Sequence, residues 1–282
     1  MVRAEQVTDP IAYHAEGPVW STAWGGLRWV DMLAGDVLAL GPDQAVTRRH
    51  VGSVVAALRP RKGGGAILAL ERGFAVEALD GTVQPYDEVW TDPTVRMNEG
   101  GCDPDGRFYC GSMAYDQREG AASVYRLDPD GQVHTAIRDV TVSNGLDWSP
   151  DGTRAFYNDT GTHRIDVFDY VDGELVARRP FVDLTSQDAR PDGLVADSES
   201  GVWTALNGDG VVHRYDSAGR LSEVIELPVK QITACTLGGP NLDQLYITTS
   251  REGLEPDEEP LAGSLFCADV GVRGLPVREF VG

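Results

Sequence analysis

The sequence is short of basic residues, of cysteine and of long hydrophobic runs. Its 24 lysines and arginines face 44 acidic residues, which gives a net charge of −20. Such a charge repels the phosphates of nucleic acids and of anionic membranes, so we expect no partner of either class. No apolar run approaches the ~20 residues that span a bilayer, and the first ten residues have no apolar signal-peptide core.

Only four cysteines occur, and their spacing is not that of a zinc site or a redox pair: Cys102, Cys110, Cys235 and Cys267. Reduced thiols in a cytoplasm are therefore the simplest expectation. Cys102 and Cys110 could meet in one hairpin, but we do not expect a disulfide there. The chain also lacks the GxSxG, HExxH, P-loop and GxGxxG motifs, which removes the enzyme classes built on them.

What the sequence does contain is a repeat. No long segment has helical periodicity, whereas short β-rich runs and turns recur about every forty to fifty residues. The apolar second strands mark six units: Leu27–Asp31, Ala66–Leu70, Arg107–Gly111, Ala155–Asp159, Val202–Leu206 and Leu245–Thr249. This pattern predicts an all-β fold, a six-bladed β-propeller with four antiparallel strands per blade and a central channel. We predict one domain over residues 1–282, closed by strands at Arg3–Val7 and Val277–Val281 that share a blade.

The first strand of each blade lines the channel of a propeller, so the residues that begin these strands converge. The six strands are Glu16–Trp20, Ser53–Ala57, Asn98–Cys102, Asn144–Trp148, Asp192–Ala196 and Thr233–Leu237. Four of them begin with Glu, Asn, Asn and Asp. Asn-Gly and Asp-Gly usually form turns. However, Asn144 precedes a separate turn at Ser149–Gly152, and Asp192 belongs to the one Pro-Asp-Gly triplet that no hairpin requires.

These four side chains offer two carboxylates and two amide oxygens, a donor set that suits calcium, magnesium or manganese with water completing the shell. Without a cation, Glu16 and Asp192 would repel each other at short range. The other candidates are weaker. His14 and His163 could approach the channel mouth, but a lone histidine is more often a surface or core residue. The acidic run Glu255–Glu259 is typical of a solvated loop.

Several motifs occur in order along nearly the whole chain: Glu16–Trp20, Arg96–Gly100, Asp103–Arg107, Gly111–Met113, Ser143–Trp148, Pro191–Gly193 and Arg251–Pro256. With these motifs the chain resembles the gluconolactonase/regucalcin (senescence marker protein) family of six-bladed propeller lactonases. The resemblance implies that Glu16, Asn144 and Asp192 hold one divalent cation, which is calcium, magnesium, manganese or zinc. It also implies that Arg96 and Asn98 bind substrate. Glu99 is assigned to the same substrate site, where the family usually has aspartate.

The activity that the resemblance implies is hydrolysis of a sugar lactone, an aldono-1,4- or 1,5-lactone, to the aldonic acid. The cation would polarise the ester carbonyl, and Asp192 is the candidate general base, with a hydroxide held by the cation as the alternative. A non-catalytic calcium-binding propeller and a hydrolase of phosphotriesters or aromatic lactones are the alternative functions. The expected partner is the small-molecule lactone, and the expected state is a monomer or weak homo-oligomer.

Overall fold

The computed structural model describes residues 2–255 and 257–282, so that Met1 and Pro256, the last residue of the Arg251–Pro256 motif, lie outside it. These residues form six β-sheets, each built on four antiparallel strands, which are the six blades of a β-propeller, and the predicted fold is confirmed. That residues 1–282 form one domain stays a prediction. Among the described residues, no helix is long and apolar enough to cross a membrane.

Two short N-terminal strands precede the first blade, β1 (Val2–Arg3) and β2 (Glu5–Gln6). Blades one to three follow in chain order: β3 (Ala15–Ser21), β4 (Gly26–Asp31), β5 (Asp36–Leu40), β6 (Val46–His50); β7 (Val55–Pro60), β8 (Ala66–Leu70), β9 (Gly73–Glu77), β10 (Val83–Glu88); β11 (Val95–Cys102), β12 (Phe108–Ala114), β13 (Ala122–Leu127), β14 (Val133–Val140).

Blades four to six complete the ring: β15 (Ser143–Trp148), β16 (Arg154–Asp159), β17 (Arg164–Val171), β18 (Glu174–Asp183); β19 (Pro191–Ala196), β20 (Val202–Leu206), β21 (Val211–Tyr215), β22 (Leu221–Glu226); β23 (Ile232–Gly238), β24 (Gln244–Thr249), β25 (Leu265–Asp269). In the described residues, four short 3₁₀ helices lie in the connections: Thr22–Trp24, Met32–Ala34, Thr160–Thr162 and Thr185–Gln187.

Burial falls from the first strand of a blade to the fourth. All eight residues of β11 are buried, whereas five of the six residues of β10 are exposed. The largest side chains pack between neighbouring sheets, and Trp29, Trp148 and Trp203 are at most 1% exposed. Since a single blade cannot cover both of its apolar faces, the ring must close for this core to form.

Closure depends on the N-terminus. Strand β2 pairs antiparallel with β25, with Glu5 opposite Cys267 and Gln6 opposite Phe266, and so supplies the fourth strand of blade six. Strand β1 then adds to blade five as a fifth strand, parallel to β22. The four cysteines are free thiols, as expected.

The prediction that both chain ends share a blade is wrong for the C-terminus. Its last residues cross the far end of the channel: Gly274 bridges Asp197, and Phe280 bridges Arg61. Phe280 is fully buried there, and the backbone N–H of Val281 donates to Gly106. The short N-terminal strand already occupies the open edge of blade six. Phe280 is therefore buried against the turns that join the first and second strands, whereas Val281 stays exposed.

In blade five, Asp197 of this turn forms a buried ion pair with Arg214 of strand β21, and we expect this pair to contribute to stability. The Asp197 carboxylate is fully buried and accepts hydrogen bonds from Arg214 Nε (2.7 Å) and Trp203 Nε1 (3.1 Å). Asp197→Ala removes the fully buried partner of Arg214 and leaves only the more exposed carboxylates of Glu199 (2.8 Å) and Glu223 (3.9 Å) near that guanidinium. We therefore expect a loss of about 3 kcal/mol in unfolding free energy, the lower end of the range for a broken buried pair. Denaturant titration measures it. Asp216→Ala, which breaks an exposed pair with Arg220, is the matched control and should leave the midpoint nearly unchanged. Equal midpoints for both variants would contradict this assignment.

Candidate active site at one end of the channel

The four Pro-Asp-Gly triplets divide as the sequence predicts. Gly106, Gly131 and Gly152 have φ of 78°, 87° and 70°, the left-handed conformation that tight turns require. Gly193 instead lies within β19, beside Asp192. The fourth triplet is therefore part of a channel-lining strand.

A β-bulge interrupts the first strand of these blades where the polar residues lie. In blade four the pairing moves from Ser143–Asp159 to Leu146–Tyr157, and in blade five from Pro191–Leu206 to Leu194–Thr204. A similar shift in blade three leaves Asn98 and Glu99 without partners in the ladder. A bulge re-aims the side chains of its unpaired residues. Asn144, Asp192 and Asn98 are such residues, and all three are more than nine-tenths buried.

The glycines that follow the polar residues allow the first strands to approach one another. A Cβ atom on Gly145 would lie 2.3 Å from the backbone nitrogen of Leu194 in the next blade. One on Gly193 would lie 2.4 Å from Cβ of Ala234, again one blade further on. Asn-Gly and Asp-Gly thus mark close packing around the channel here, which only glycine permits.

Asn144 is fixed by its amide group. Its Nδ2 donates to Thr160 Oγ1 (2.8 Å), and that hydroxyl donates to the carbonyl of Pro191 (2.7 Å). Oδ1 is therefore the atom of Asn144 that remains for the channel. Asn98 Nδ2 donates to this same Oδ1 (3.1 Å) and to the carbonyl of Ser143 (2.7 Å), which ties blade three to blade four.

Asp192 has one oxygen held and one oxygen free. Its Oδ2 accepts from Asn207 Nδ2 (2.9 Å), whereas its buried Oδ1 has no hydrogen-bond partner within the described part of the chain. Glu16 lies in the same buried space, and its Oε2 accepts from the backbone N–H of Gly17 (3.1 Å). Next to it, His14 Nε2 is 3.9 Å from Glu16 Oε1, and His14 Nδ1 is 2.7 Å from Ser250 Oγ.

Arg96 lies against Asn98 on the channel wall. Its Nη1 donates to Asn98 Oδ1 (2.6 Å), to the carbonyl of Met97 (3.0 Å) and to Met32 Sδ (2.9 Å). The guanidinium lies 5.7 Å from the ring centroid of Tyr115, whose hydroxyl donates to Glu71 Oε1 (2.8 Å).

Glu99 is buried, and its Oε2 atom has no hydrogen-bond partner among residues 2–255 and 257–282. It lines a cavity of about 60 Å³ that also contacts Arg59, Asp147 and the C-terminal segment 275–278. Arg278 closes this end of the channel through Asp147, with its Nη1 atom 3.4 Å from Asp147 Oδ1. The structure therefore brings five of the six predicted site residues together near the channel mouth and places Glu99 on the wall of the deeper cavity.

The buried carboxylates disfavour one another's charge. Burial, together with the charges of Asp192 and Glu99, raises the pKa of Glu16 well above its ordinary value. Burial raises the pKa of Asp192 to about 7, and burial with the Asp192 charge raises the pKa of Glu99 to about 8. Burial and the nearby Arg96 charge lower the pKa of His14 to about 3, so this imidazole is neutral. The charges of Arg96, Arg190 and Arg59 lower these three pKa values, but burial outweighs them.

A second ring of residues, which the sequence patterns did not reveal, supports the first. In every blade the residue directly after the second strand contacts a site residue or a neighbour of one: Met32, Glu71, Tyr115, Thr160, Asn207 and Ser250. The available signal was their position after each apolar second strand, not their residue type. Asn207 lies in an Asn-Gly-Asp-Gly run that looks like an ordinary turn. His14, which we assigned to the surface or core, is buried beside Glu16.

A divalent cation fits the residues present. Within residues 2–255 and 257–282, no three or more His, Cys, Asp or Glu side chains form a ready-made cation site. The set Glu16, Asn144 and Asp192 contains two carboxylates and one amide. The unpartnered Oδ1 of Asp192, the oriented Oδ1 of Asn144 and the Glu16 carboxylate are hard oxygen donors. Their formal charge of −2 would be balanced by a divalent cation, which would also relieve the repulsion between the carboxylates.

Comparison with known proteins agrees with this architecture. Residues 14–251 match the family model described as SMP-30/Gluconolactonase/LRE-like region. The chain belongs to this family. The resemblance inferred from the motifs is thereby confirmed, and it extends over most of the propeller.

Three similar proteins illustrate the range of the family. Regucalcin of Oryctolagus cuniculus is 33% identical over 296 residues, which cover 100% of this chain and 99% of the relative. The putative sugar lactone lactonase YvrE of Bacillus subtilis is 32% identical, with 97% of each chain covered. The crystal structure of a calcium-binding protein, regucalcin, from Agrobacterium tumefaciens has a TM-score of 0.92 at 27% identity and covers 99% of this chain and 97% of its own.

Proposed function

We propose that this member of the family is a divalent-cation-dependent lactonase that opens a sugar lactone to the corresponding sugar acid. The observation that carries the proposal is the convergence of Glu16, Asn144 and Asp192 at one buried end of the channel, where no described residue donates a hydrogen bond to Asp192 Oδ1. The name of the Bacillus subtilis relative, a putative sugar lactone lactonase, supports the same reaction class.

In the proposed mechanism, a bound cation would polarise the lactone carbonyl and stabilise negative charge as it develops on the carbonyl oxygen. Asp192 removes a proton from the attacking water through Oδ1, while Asn207 holds Oδ2 and thereby fixes the carboxylate plane. Burial raises the pKa of Asp192 to about 7 in the cation-free protein, and the charge of a bound cation would lower it, so that the carboxylate would be ionised and able to accept a proton at neutral pH. Arg96 and Asn98 orient the substrate by hydrogen bonds at the channel mouth.

Two alternatives differ in what they need from the site. A non-catalytic calcium-binding propeller needs the three oxygen donors but no base, and the Agrobacterium tumefaciens relative is described as a calcium-binding protein. A hydrolase of phosphotriesters or aromatic lactones would favour an apolar mouth. Here Arg96, Asn98 and Asn207 present polar groups to the channel, which favours a hydroxylated substrate.

Turnover separates these functions. We expect the protein to release acid from gluconolactone when calcium, magnesium, manganese or zinc is added, and to stop when the cation is chelated. Cation binding measured by calorimetry without turnover of any lactone would favour the calcium-binding alternative. Faster turnover of an aromatic lactone or a phosphotriester than of any aldonolactone would favour the third function.

Asn144→Ala tests the cation site itself. Loss of one oxygen donor should weaken cation affinity by about tenfold or more while the fold is retained, because the amide makes no contact in the apolar core. Calorimetry gives the affinity, and circular dichroism reports the fold. Asn241→Ala, in an exposed turn of blade six, removes the same amide elsewhere and should bind the cation like the unmodified protein. Unchanged affinity in Asn144→Ala would overturn the assignment of all three ligands.

A further inference from the structure

His14 is a buried imidazole that lies beside Glu16 and is 8% exposed. Its backbone N–H donates to Asp31 Oδ1 (2.9 Å), and its carbonyl accepts from the N–H of Met32 (2.9 Å). An isolated β-bridge to Ser250 joins it to blade six as well. The backbone of His14 is thus held from two blades, which gives the imidazole a well-fixed starting point.

The two ring nitrogens of His14 have different surroundings. Nδ1 lies 2.7 Å from Ser250 Oγ and 3.4 Å from Glu252 Oε2. The Ser250 oxygen also accepts the backbone N–H of Glu252 (3.0 Å). A hydroxyl oxygen and a carboxylate beside Nδ1 favour the tautomer in which Nδ1 carries the proton and donates it. Nε2 then has a free lone pair, and no described residue forms a hydrogen bond with it.

Nε2 faces the oxygen of Glu16 that the neighbouring backbone does not hold. The distance from His14 Nε2 to Glu16 Oε1 is 3.9 Å, whereas Oε2 of Glu16 accepts from the N–H of Gly17. This distance is too long for a hydrogen bond. It is no longer than two metal–ligand bonds, because zinc lies about 2.0–2.1 Å from an imidazole nitrogen and about 2.0–2.2 Å from a carboxylate oxygen. A cation between the two atoms would therefore be within bonding distance of both.

The surroundings of His14 are those of a metal-binding histidine. Such a histidine almost always donates its other ring N–H to a carboxylate, a carbonyl or a water, which fixes the ring and its tautomer. A nitrogen donor also changes which ions a site prefers, since imidazole suits zinc and other transition metals, whereas an all-oxygen site suits calcium and magnesium. The neutral imidazole adds no charge, so Glu16 and Asp192 still balance one divalent cation.

We propose that His14 Nε2 is a fourth protein ligand of the cation, beside Glu16, Asn144 and Asp192, and that it shifts the selectivity of the site from calcium toward zinc. No three His, Cys, Asp or Glu side chains of the described residues already form a cation site, so the ligands must draw together when the ion binds. This inference rests on the proposed cation site and adds to it a nitrogen donor that determines the preferred metal.

Pulsed EPR of the manganese-loaded protein tests this ligation directly. An imidazole nitrogen bound to the ion produces a nitrogen coupling, which changes in a known way when only the histidines carry nitrogen-15. We expect this coupling in the unmodified protein and its loss in His14→Gln. His134→Gln, which replaces an exposed histidine of strand β14, is the matched control and should keep it. A manganese-loaded protein without histidine coupling would overturn the proposal.

The selectivity is measured by titrating zinc and calcium calorimetrically into chelator-treated protein. His14→Gln offers an oxygen in place of the nitrogen, so zinc affinity should fall by about tenfold or more, while calcium affinity should change by less than about threefold. His134→Gln should bind both ions like the unmodified protein. Equal losses for the two ions in His14→Gln would contradict the proposal, because His14 would then support the site without binding the ion.

Thermal unfolding identifies a His14→Gln protein that does not fold. In that case the EPR spectrum of the unmodified, histidine-labelled protein decides, because within the described residues no other histidine contacts a proposed ligand. Ser250→Ala, which removes an acceptor of the Nδ1 proton, then provides the second variant. It should lower zinc affinity by about tenfold and leave calcium affinity nearly unchanged.

These measurements keep the inference separate from the lactonase function. Histidine coupling in a protein that opens no lactone would retain His14 as a ligand and reject the lactonase. Cation-dependent lactone opening without histidine coupling would reject His14 and retain the lactonase. A protein that binds neither manganese, zinc nor calcium would overturn both, since both require the cation.

Discussion

Asp192→Asn is expected to lower kcat for lactone opening by about a thousandfold with cation at saturation, because the variant cannot accept a proton from water. General bases contribute on the order of 10²–10⁴ in rate, so a loss of this size identifies the base. Cation affinity must be measured in the same preparation, since the substitution also replaces one carboxylate of the proposed cation site. Acid release at several cation concentrations, up to saturation, gives kcat independently of that affinity.

Asp147→Asn is the matched control for this experiment. Asp147 is another carboxylate of a channel-lining strand, but it lies beyond Glu99 and contacts Arg278 at the covered end. The same change of charge there should leave kcat within about twofold. Full activity of Asp192→Asn with an intact cation site would exclude Asp192 as the base, and Asp192→Ala, which we expect to abolish the reaction, would then have to act through the cation alone.

The ring of blades was predictable because its signals are local. Apolar second strands such as Leu27–Asp31 and the positive-φ glycines of the turns, such as Gly106 and Gly152, recur with each blade. The path of the C-terminus was not predictable in this way. Phe280 contacts turns of blades two and three that are far away in sequence, and a short apolar run carries no signal that distinguishes a fourth strand from a segment that crosses the ring.

The site residues also differ in whether local sequence predicts them. The sequence predicts Glu16, Asn144 and Asp192 as site residues because each begins the first strand of a blade. That position in the repeat always faces the channel. Asn207 supports Asp192 through a single hydrogen bond, and only the three-dimensional register of β19 and β20 brings the two together. The direction of the Glu99 side chain, toward the deeper cavity, likewise depends on the bulge in β11, for which the sequence carries no signal.

The raised pKa values of the three buried carboxylates allow us to predict how the protein's stability depends on pH. In the cation-free protein, burial raises the pKa of Asp192 to about 7 and, together with the charge of Asp192, that of Glu99 to about 8, while Glu16 is raised well above its usual value. At pH 6.5–8 the folded state therefore holds protons that the unfolded chain has already released. Stability must then fall as pH rises, by up to about 1.4 kcal/mol per pH unit for each proton held.

Other buried groups limit the pH range in which the carboxylates alone determine this slope: His14 at lower pH and the cysteine thiols at higher pH. His14, held neutral by burial and by Arg96, makes stability fall below its ordinary pKa, which acts in the opposite direction at lower pH. Above pH 8 the buried thiols, whose pKa values burial raises, begin to contribute. Between these limits, chelator-treated protein should lose thermal stability with rising pH. Added cation should restore it most at pH 8, where fewer protons compete for the oxygens than at lower pH.

Differential scanning calorimetry with chelator and with calcium, at half-unit steps from pH 6.5 to 8, measures both effects. In Glu16→Gln one of the repelling charges is absent, so the decline with pH should be shallower, and calcium should stabilise this variant less. An exposed substitution of the same type, Glu119→Gln, should reproduce the slope of the unmodified protein. A flat profile in chelator would mean that these carboxylates do not share one buried space. The lactonase and the calcium-binding alternatives would then both lose their site, since each depends on that crowding to attract a divalent cation.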